Sequence, residues 1–241
     1  EASAGIVGGA FGITGILPTI DFIHEWKNGN RELQHGYFRF VNQRQIKDLQ
    51  KEICSRSGAR YALTFCSRFA ALFELLIYLR ETLSNINLYF SSDTELSVGD
   101  IQNLEISCQS LDLENLINPD LLSARNGDVF LLAMEVPELF LKENAKWLEK
   151  LKRQRVTVIF YSSHLPVFNQ WAGGLTYWIT GITSAEFNDK LFGIEGGIIL
   201  SNADRQITEL IETCKRSGSV LSARSAAVLL KLLQDQETDL N

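Results

Sequence analysis

The chain has 241 residues, of which 45% are hydrophobic and 22% charged, with only 4 prolines; that balance excludes a disordered chain and describes one compact domain able to bury a large core. No apolar run reaches the roughly 18 to 20 residues a membrane helix requires, since even Ala70 to Leu79 carries Glu74 and ends at Arg80. Lys and Arg number 23 against 29 Asp and Glu, a net charge of -6 with both signs interspersed, so neither nucleic acid nor a membrane surface is an expected partner.

Glu1 to Gly15 is small and Gly-rich, has no basic segment and lacks an initiating Met, as a fragment or trimmed product would. From about residue 40 the apolar pattern alternates between helical and strand periods, which is the mark of βαβ units feeding a mostly parallel sheet. Asn42 is a candidate N-cap for a helix carrying Ile46, Leu49 and Ile53 on one face, with Gly58 to end it. Tyr61 to Cys66 reads as a strand. Ser67 to Leu83 then reads as a helix apolar on several faces, expected to lie buried against the sheet.

Asn87 to Ser91 and Leu104 to Cys108 read as short strands, and Asp128 to Met134 as a buried parallel strand. A helix from Lys142 to Gln154 presents Trp147, Leu148 and Leu151 inward, and Val156 to Tyr161 is the next strand. After Pro166, a loop residue, come strands at Leu175 to Ile182 and Gly196 to Leu200, then helices at Ala203 to Arg216 and Val220 to Gln234. The four cysteines (Cys54, Cys66, Cys108, Cys214) are scattered and form no CxxC pair. Neither a metal site nor a disulfide framework is indicated, and a reducing, cytoplasmic setting fits.

The order of these segments, with the motifs on them, resembles the Cys/Met-metabolism group of pyridoxal-phosphate (PLP) enzymes of fold type I, which includes cystathionine γ-synthase, cystathionine lyases and methionine γ-lyase. Tyr37-Phe-Arg-Phe-Val-Asn42 is similar to the family's YxRxxNP segment, and Phe65-Cys-Ser-Arg-Phe-Ala-Ala71 to its SSGMAA turn. Val158-Ile-Phe-Tyr-Ser-Ser163 stands where the family has VVVDNT, Glu186 to Gly197 where it has KYxGGHxDxxGG, and Gly218-Ser-Val-Leu-Ser222 resembles GxxLSP. The similarity runs from about residue 16 to 235. It implies an α/β fold, a PLP-transferase-like large domain over 37–241 preceded by an N-terminal arm over 1–36, with the family's C-terminal small domain absent.

The same resemblance assigns the chemical positions, and they are occupied by the wrong residues. PLP catalysis needs a lysine amine to hold the cofactor and shuttle protons, and Glu186 stands at that position. Lys190 lies outside the register fixed by Gly196 and Gly197. An Asp should hold the pyridine nitrogen protonated, but Tyr161 replaces it, a phenol that is neutral at pH 7 with an ordinary pKa of about 10. The phosphate turn follows Ser67, and Arg68 replaces its Gly; of the hydroxyl positions before the lysine, Thr183 keeps one and Ala185 loses the other. Ser67, Arg68, Tyr161, Thr183 and Glu186 are thus vestigial cofactor positions, and no cofactor is expected.

Other features survive. Tyr37 and Arg39 match the Tyr and Arg that, in the family, reach across the dimer interface to the phosphate of the neighbouring subunit, and Glu135 keeps the acid after the buried strand. The resemblance therefore implies a catalytically degenerate pseudoenzyme, acting by association as a homodimer, as a heteromer with an active PLP-enzyme paralogue, or within a larger assembly.

An enzyme of changed mechanism stays open, with Glu186, His164 and Arg68 receiving an anionic small molecule in the former PLP cavity; a working C–S lyase or γ-synthase would require Lys190 to serve. Arg68 is read either as a structural residue or as an anion holder, and Glu186 either as a surface acid or as a group working with His164 or Asp189. His164 is read as a loop residue and Cys66 as a small buried one. Trp171, Tyr177 and Trp178 are read as packing residues, and Gly173-Gly174 as a turn.

Overall fold

A computed structural model describes residues 44–83, 85–92, 98–116, 125–133, 144–162, 176–183, 195–202, 207, 209–211 and 221–238. The elements are α1 (Arg44–Ser57), β1 (Tyr61–Phe65), α2 (Arg68–Thr82), β2 (Asn87–Ser91), α3 (Val98–Gln102), β3 (Ser107–Leu111), α4 (Leu113–Leu116), β4 (Asp128–Ala133), α5 (Ala145–Arg153), β5 (Thr157–Ser162), β6 (Thr176–Thr183), β7 (Glu195–Ser201) and α6 (Ala223–Thr238). Ile207, Glu209, Leu210 and Ile211 are also helical.

The strands form a seven-stranded sheet in the order β1-β7-β6-β5-β4-β2-β3. The pairs β2/β3, β2/β4, β4/β5 and β5/β6 are parallel, and β7 runs antiparallel to both its neighbours. Because two reversals restore direction, β1 runs the same way as β6. The carboxyl ends of β1, β4, β5 and β6 therefore lie along one edge of the sheet.

Strand side chains alternate faces, and both faces are covered. One core joins Leu63, Phe65, Leu131, Ile159, Tyr161, Tyr177, Ile179 and Ile199 to Leu72, Leu75, Leu76 and Leu79 of α2 and to Ile207 and Leu210. The other joins Ala62, Phe130, Leu132, Val158, Phe160, Trp178, Ile198 and Leu200 to Ile46, Leu49 and Ile53 of α1, Trp147 and Leu151 of α5, and Ala226, Leu229 and Leu233 of α6. Two-sided burial explains why β4 and β5 read as nearly continuous apolar runs. Arg56 ties α1 to α6, donating to the Leu233 carbonyl at 2.6 Å while paired with Glu52 at 2.7 Å.

The signals on the α1 face and at its end act as read, while Asn42, expected as its N-cap, lies outside the described residues. Gly58 takes φ +73, and its N–H bonds the Cys54 carbonyl at 2.9 Å, closing the helix with a left-handed residue. Tyr177 and Trp178 are buried packing residues.

Other expectations are corrected. The strand expected at Leu104–Cys108 is instead β3, at Ser107–Leu111. Leu104 and Glu105 belong to the turn after α3, Glu105 has φ +56, and Leu104 and Ile106 bury their side chains from that connection. β3 is a polar edge strand, so the apolar residues beside it gave the stronger signal. The last helix starts at Ala223 rather than Val220, because the Ser222 hydroxyl accepts from the Ser225 N–H at 3.0 Å while the Leu221 N–H donates to Thr64 of β1 at 3.2 Å. α3 and α4, of 5 and 4 residues, are too short for a periodic signal. No helix among the described residues is long and apolar enough to cross a membrane.

Candidate functional site

Open α/β sheets receive ligands outside the carboxyl ends of their strands. Here that edge is reached by the N-terminus of α2, delivered by β1. Ser67 is the N-cap: it is extended, at φ -155 and ψ 164, and its hydroxyl accepts from the Ala70 N–H at 3.0 Å. The β1–α2 junction is pressed onto β7. Gly197 pairs with Phe65, and any Cβ on Gly197 would collide with the Ser67 carbonyl and the Arg68 backbone.

Arg68 is the first residue of α2, where the helix macrodipole disfavours a cation. Its side chain leaves the helix end and lies along the sheet edge. The stem passes over Gly181 of β6, where a Cβ would sit 3.7 Å from Arg68 Cδ. The guanidinium carbon stands 4.5 Å from the centroid of the Tyr161 ring on β5, within cation–π range. Nη1 donates to the Ser162 carbonyl at 3.3 Å. Tyr161 is only 5% exposed and belongs to the core on the α2 side. On the opposite face, the Ser162 hydroxyl accepts from Trp178 Nε1 at 2.9 Å, which fixes the end of β5 against β6.

The structure thus joins residues far apart in the chain. Arg68 and Tyr161, each singled out as a departure from the family pattern, are in contact. Ser67 directly precedes Arg68 as the cap. Thr183 is the last residue of β6, paired with Glu195. Glu186, His164, Asp189, Lys190, Ala185, Tyr37, Arg39, Glu135, Trp171 and Gly173-Gly174 lie outside the described residues. Cys66, expected to be buried, is exposed: it falls in the short link between the end of β1 and the Ser67 cap, beyond the sheet's cover. Ser162, Gly181 and Gly197 complete the arrangement and were missed as contributors to it. Their signal was small residues within the last or first three positions of strands, which a single sequence does not separate from ordinary turn chemistry.

No protein-family model matches the chain, and no curated protein matches its sequence. Solved structures do match in three dimensions. The O-acetylhomoserine sulfhydrylase of Wolinella succinogenes superposes with a TM-score of 0.61 at 12% identity, over 82% of this chain and 63% of that one. The fold is that of the fold type I PLP-dependent enzymes. Cystathionine γ-synthase from Xanthomonas oryzae pv. oryzae gives 0.61 at 12% identity, over 82% and 52% of the two chains. Serine palmitoyltransferase from S. paucimobilis, with a PLP–myriocin aldimine, gives 0.60 at 13%, over 83% and 52%. The chain thus spans between about half and 63% of the length of these neighbours. At such identities the likeness concerns the fold, and the chemistry has to be argued from the site.

Proposed function

We propose that this protein is a PLP-fold pseudoenzyme: it has lost PLP chemistry and acts by associating with another protein, in the first instance with an active PLP-enzyme paralogue. The observation that carries this reading is the contact between Arg68 and Tyr161 at the carboxyl end of β5. The residues there do not fit the cofactor. A pyridinium needs a carboxylate beside its nitrogen, and Tyr161 offers a phenol whose ring face is already taken by a cation of the same chain. The phosphate turn needs a small residue that leaves its N–H groups accessible, and Arg68 starts the helix instead. Glu186, at the position the resemblance gives to the lysine, adds an acid where an amine is required.

The association half of the reading rests on Tyr37 and Arg39, which the resemblance assigns to the partner's phosphate rather than to the chain's own site. Loss of the residues that act within one subunit, beside retention of those offered to another, is the pattern a supporting subunit would leave.

The test is direct. The purified protein, incubated with excess PLP and desalted, should show no visible aldimine band. Borohydride reduction followed by peptide mapping should find no stoichiometrically modified lysine. A stable band, or stoichiometric labelling of Lys190, would overturn the reading.

A further inference from the structure

We infer that Arg68 is the built-in occupant of this fold's ligand crevice: passing over Gly181 and set over the Tyr161 ring, it closes the crevice to planar aromatic anions, and its removal uncovers a shelf that accepts them. The inference rests on the functional reading above, and it adds how the exclusion is achieved.

The geometry has the features of a plug. The guanidinium carbon lies over the Tyr161 ring at 4.5 Å, and Nη1 donates to the Ser162 carbonyl at 3.3 Å, so the cation already covers the aromatic surface and has a donor engaged within the chain. The stem passes over Gly181, where an added Cβ would meet Arg68 Cδ at an ordinary 3.7 Å, and the turn that launches it is held by the Gly197 contact. Tyr161 supplies an aromatic floor locked into the core on the α2 side. A flat ring can lie on that floor only by displacing the guanidinium. Ring and guanidinium compete for the same surface, since both stack on aromatic faces.

The two roles predict opposite signs. If Arg68 received an anion, truncating it would weaken binding; if Arg68 is the plug, truncation strengthens it. The probe is 4-deoxypyridoxine 5′-phosphate, a planar aromatic phosphate with no aldehyde, which cannot form an imine with any lysine. By isothermal titration calorimetry the parent protein should show no saturable binding. Arg68→Ala should bind at least about tenfold more tightly, the factor that corresponds to about 1.4 kcal/mol. Tyr161→Phe keeps the aromatic floor and the guanidinium over it, so it should stay closed.

Far-UV circular dichroism and a cooperative melt check that each variant is folded. Should Arg68→Ala not fold, Arg68→Ser, which places a helix-compatible polar residue at the same helix start, takes its place. Equal or weaker binding after truncation, or no binding by any folded Arg68 variant, would overturn the plug. Because the probe is blind to lysine, that failure is separate from failure of the pseudoenzyme reading, which only the aldimine and labelling experiment reports.

Discussion

Gly197 of β7 lies directly against the carbonyl of Ser67, at the point where the chain leaves β1 to begin α2. The pairing of Phe65 with Gly197 puts backbone on backbone there, and the neighbour that would have to yield is a carbonyl that accepts the Ala71 N–H at 3.1 Å. Gly197→Ala should therefore push the Ser67 cap off the sheet and cost about 2 to 3 kcal/mol, the upper range for overpacking a core. Gly181→Ala is the control. Its Cβ would meet Arg68 Cδ at an ordinary 3.7 Å, so its urea midpoint should stay close to that of the parent. Equal midpoints for Gly197→Ala and the parent would refute the close approach.

The Arg68–Tyr161 contact should be measurable as a coupling. Arg68 is half-buried and Tyr161 buried, so desolvation is partial and the coupling free energy should be roughly 0.5 to 1 kcal/mol. A double-mutant cycle on Arg68→Ala and Tyr161→Leu, followed by urea unfolding, isolates it. Leucine keeps apolar bulk without the π face. Additive single-mutant costs would mean the two side chains are neighbours without interaction.

Legibility of the fold and of the site had different physical limits. β4 and β5 were readable because burial on both faces demands continuous apolar residues, and α1 because Ile46, Leu49 and Ile53 recur at helical spacing before a left-handed Gly58. β3 was misplaced because an edge strand needs little apolar character, while Leu104 and Ile106 beside it are buried. At the site, Arg68 and Tyr161 could each be recognised as a departure from a motif. Their contact was not legible, since it depends on the crossing of α2's start over β6 and β5, residues nearly a hundred positions apart in the chain. Cys66 was misjudged for a similar reason: the motif position implies a small residue, and only the path of the junction decides whether it faces solvent.

Cysteine chemistry should follow that geometry. Cys66 is exposed, whereas burial pushes the thiol pKa of Cys54 and Cys108 upward. The thiolate is the nucleophile, so a raised pKa and reduced access both slow reaction. With a chromogenic disulfide reagent at pH 7.5 and peptide mapping over time, Cys66 should label before Cys54 and Cys108. Faster labelling of Cys54 would contradict the burial of α1 against the sheet.

Arg39 tests association. If the protein supports an active paralogue, Arg39→Ala should weaken that partner's retention of PLP by about 10- to 100-fold, because a charge-assisted phosphate contact worth about 1.5 to 3 kcal/mol is lost. Glu186→Ala should leave retention unchanged, since that position faces the chain's own vestigial site under the same assignment. The measurement is cofactor release from the copurified complex, followed by absorbance. Equal effects would remove the proposed division of labour, and a monomer with no copurifying partner by light scattering would remove association itself.

Tyr177 carries the pH prediction. It is fully buried, and its pKa is pushed upward first by desolvation, then by the neighbouring Tyr78 and Glu209 charges and by its hydrogen bond with Tyr78; Tyr78 in turn donates to Glu209 Oε2 at 3.1 Å. The shift favours the neutral phenol in the folded state. The unfolded phenol ionises near its ordinary value of about 10, so above that pH the unfolded chain binds fewer protons than the folded one. Stability from this group is therefore complete below about pH 10 and declines as pH rises toward the raised folded value. Tyr177→Phe removes the group and should flatten that decline. At pH 7.5 the variant should be less stable by about 1 kcal/mol, the net worth of one hydrogen bond, and the gap should narrow between pH 9.5 and 11. Urea midpoints for both proteins across that range are the measurement; parallel curves would show that Tyr177 does not carry the alkaline loss.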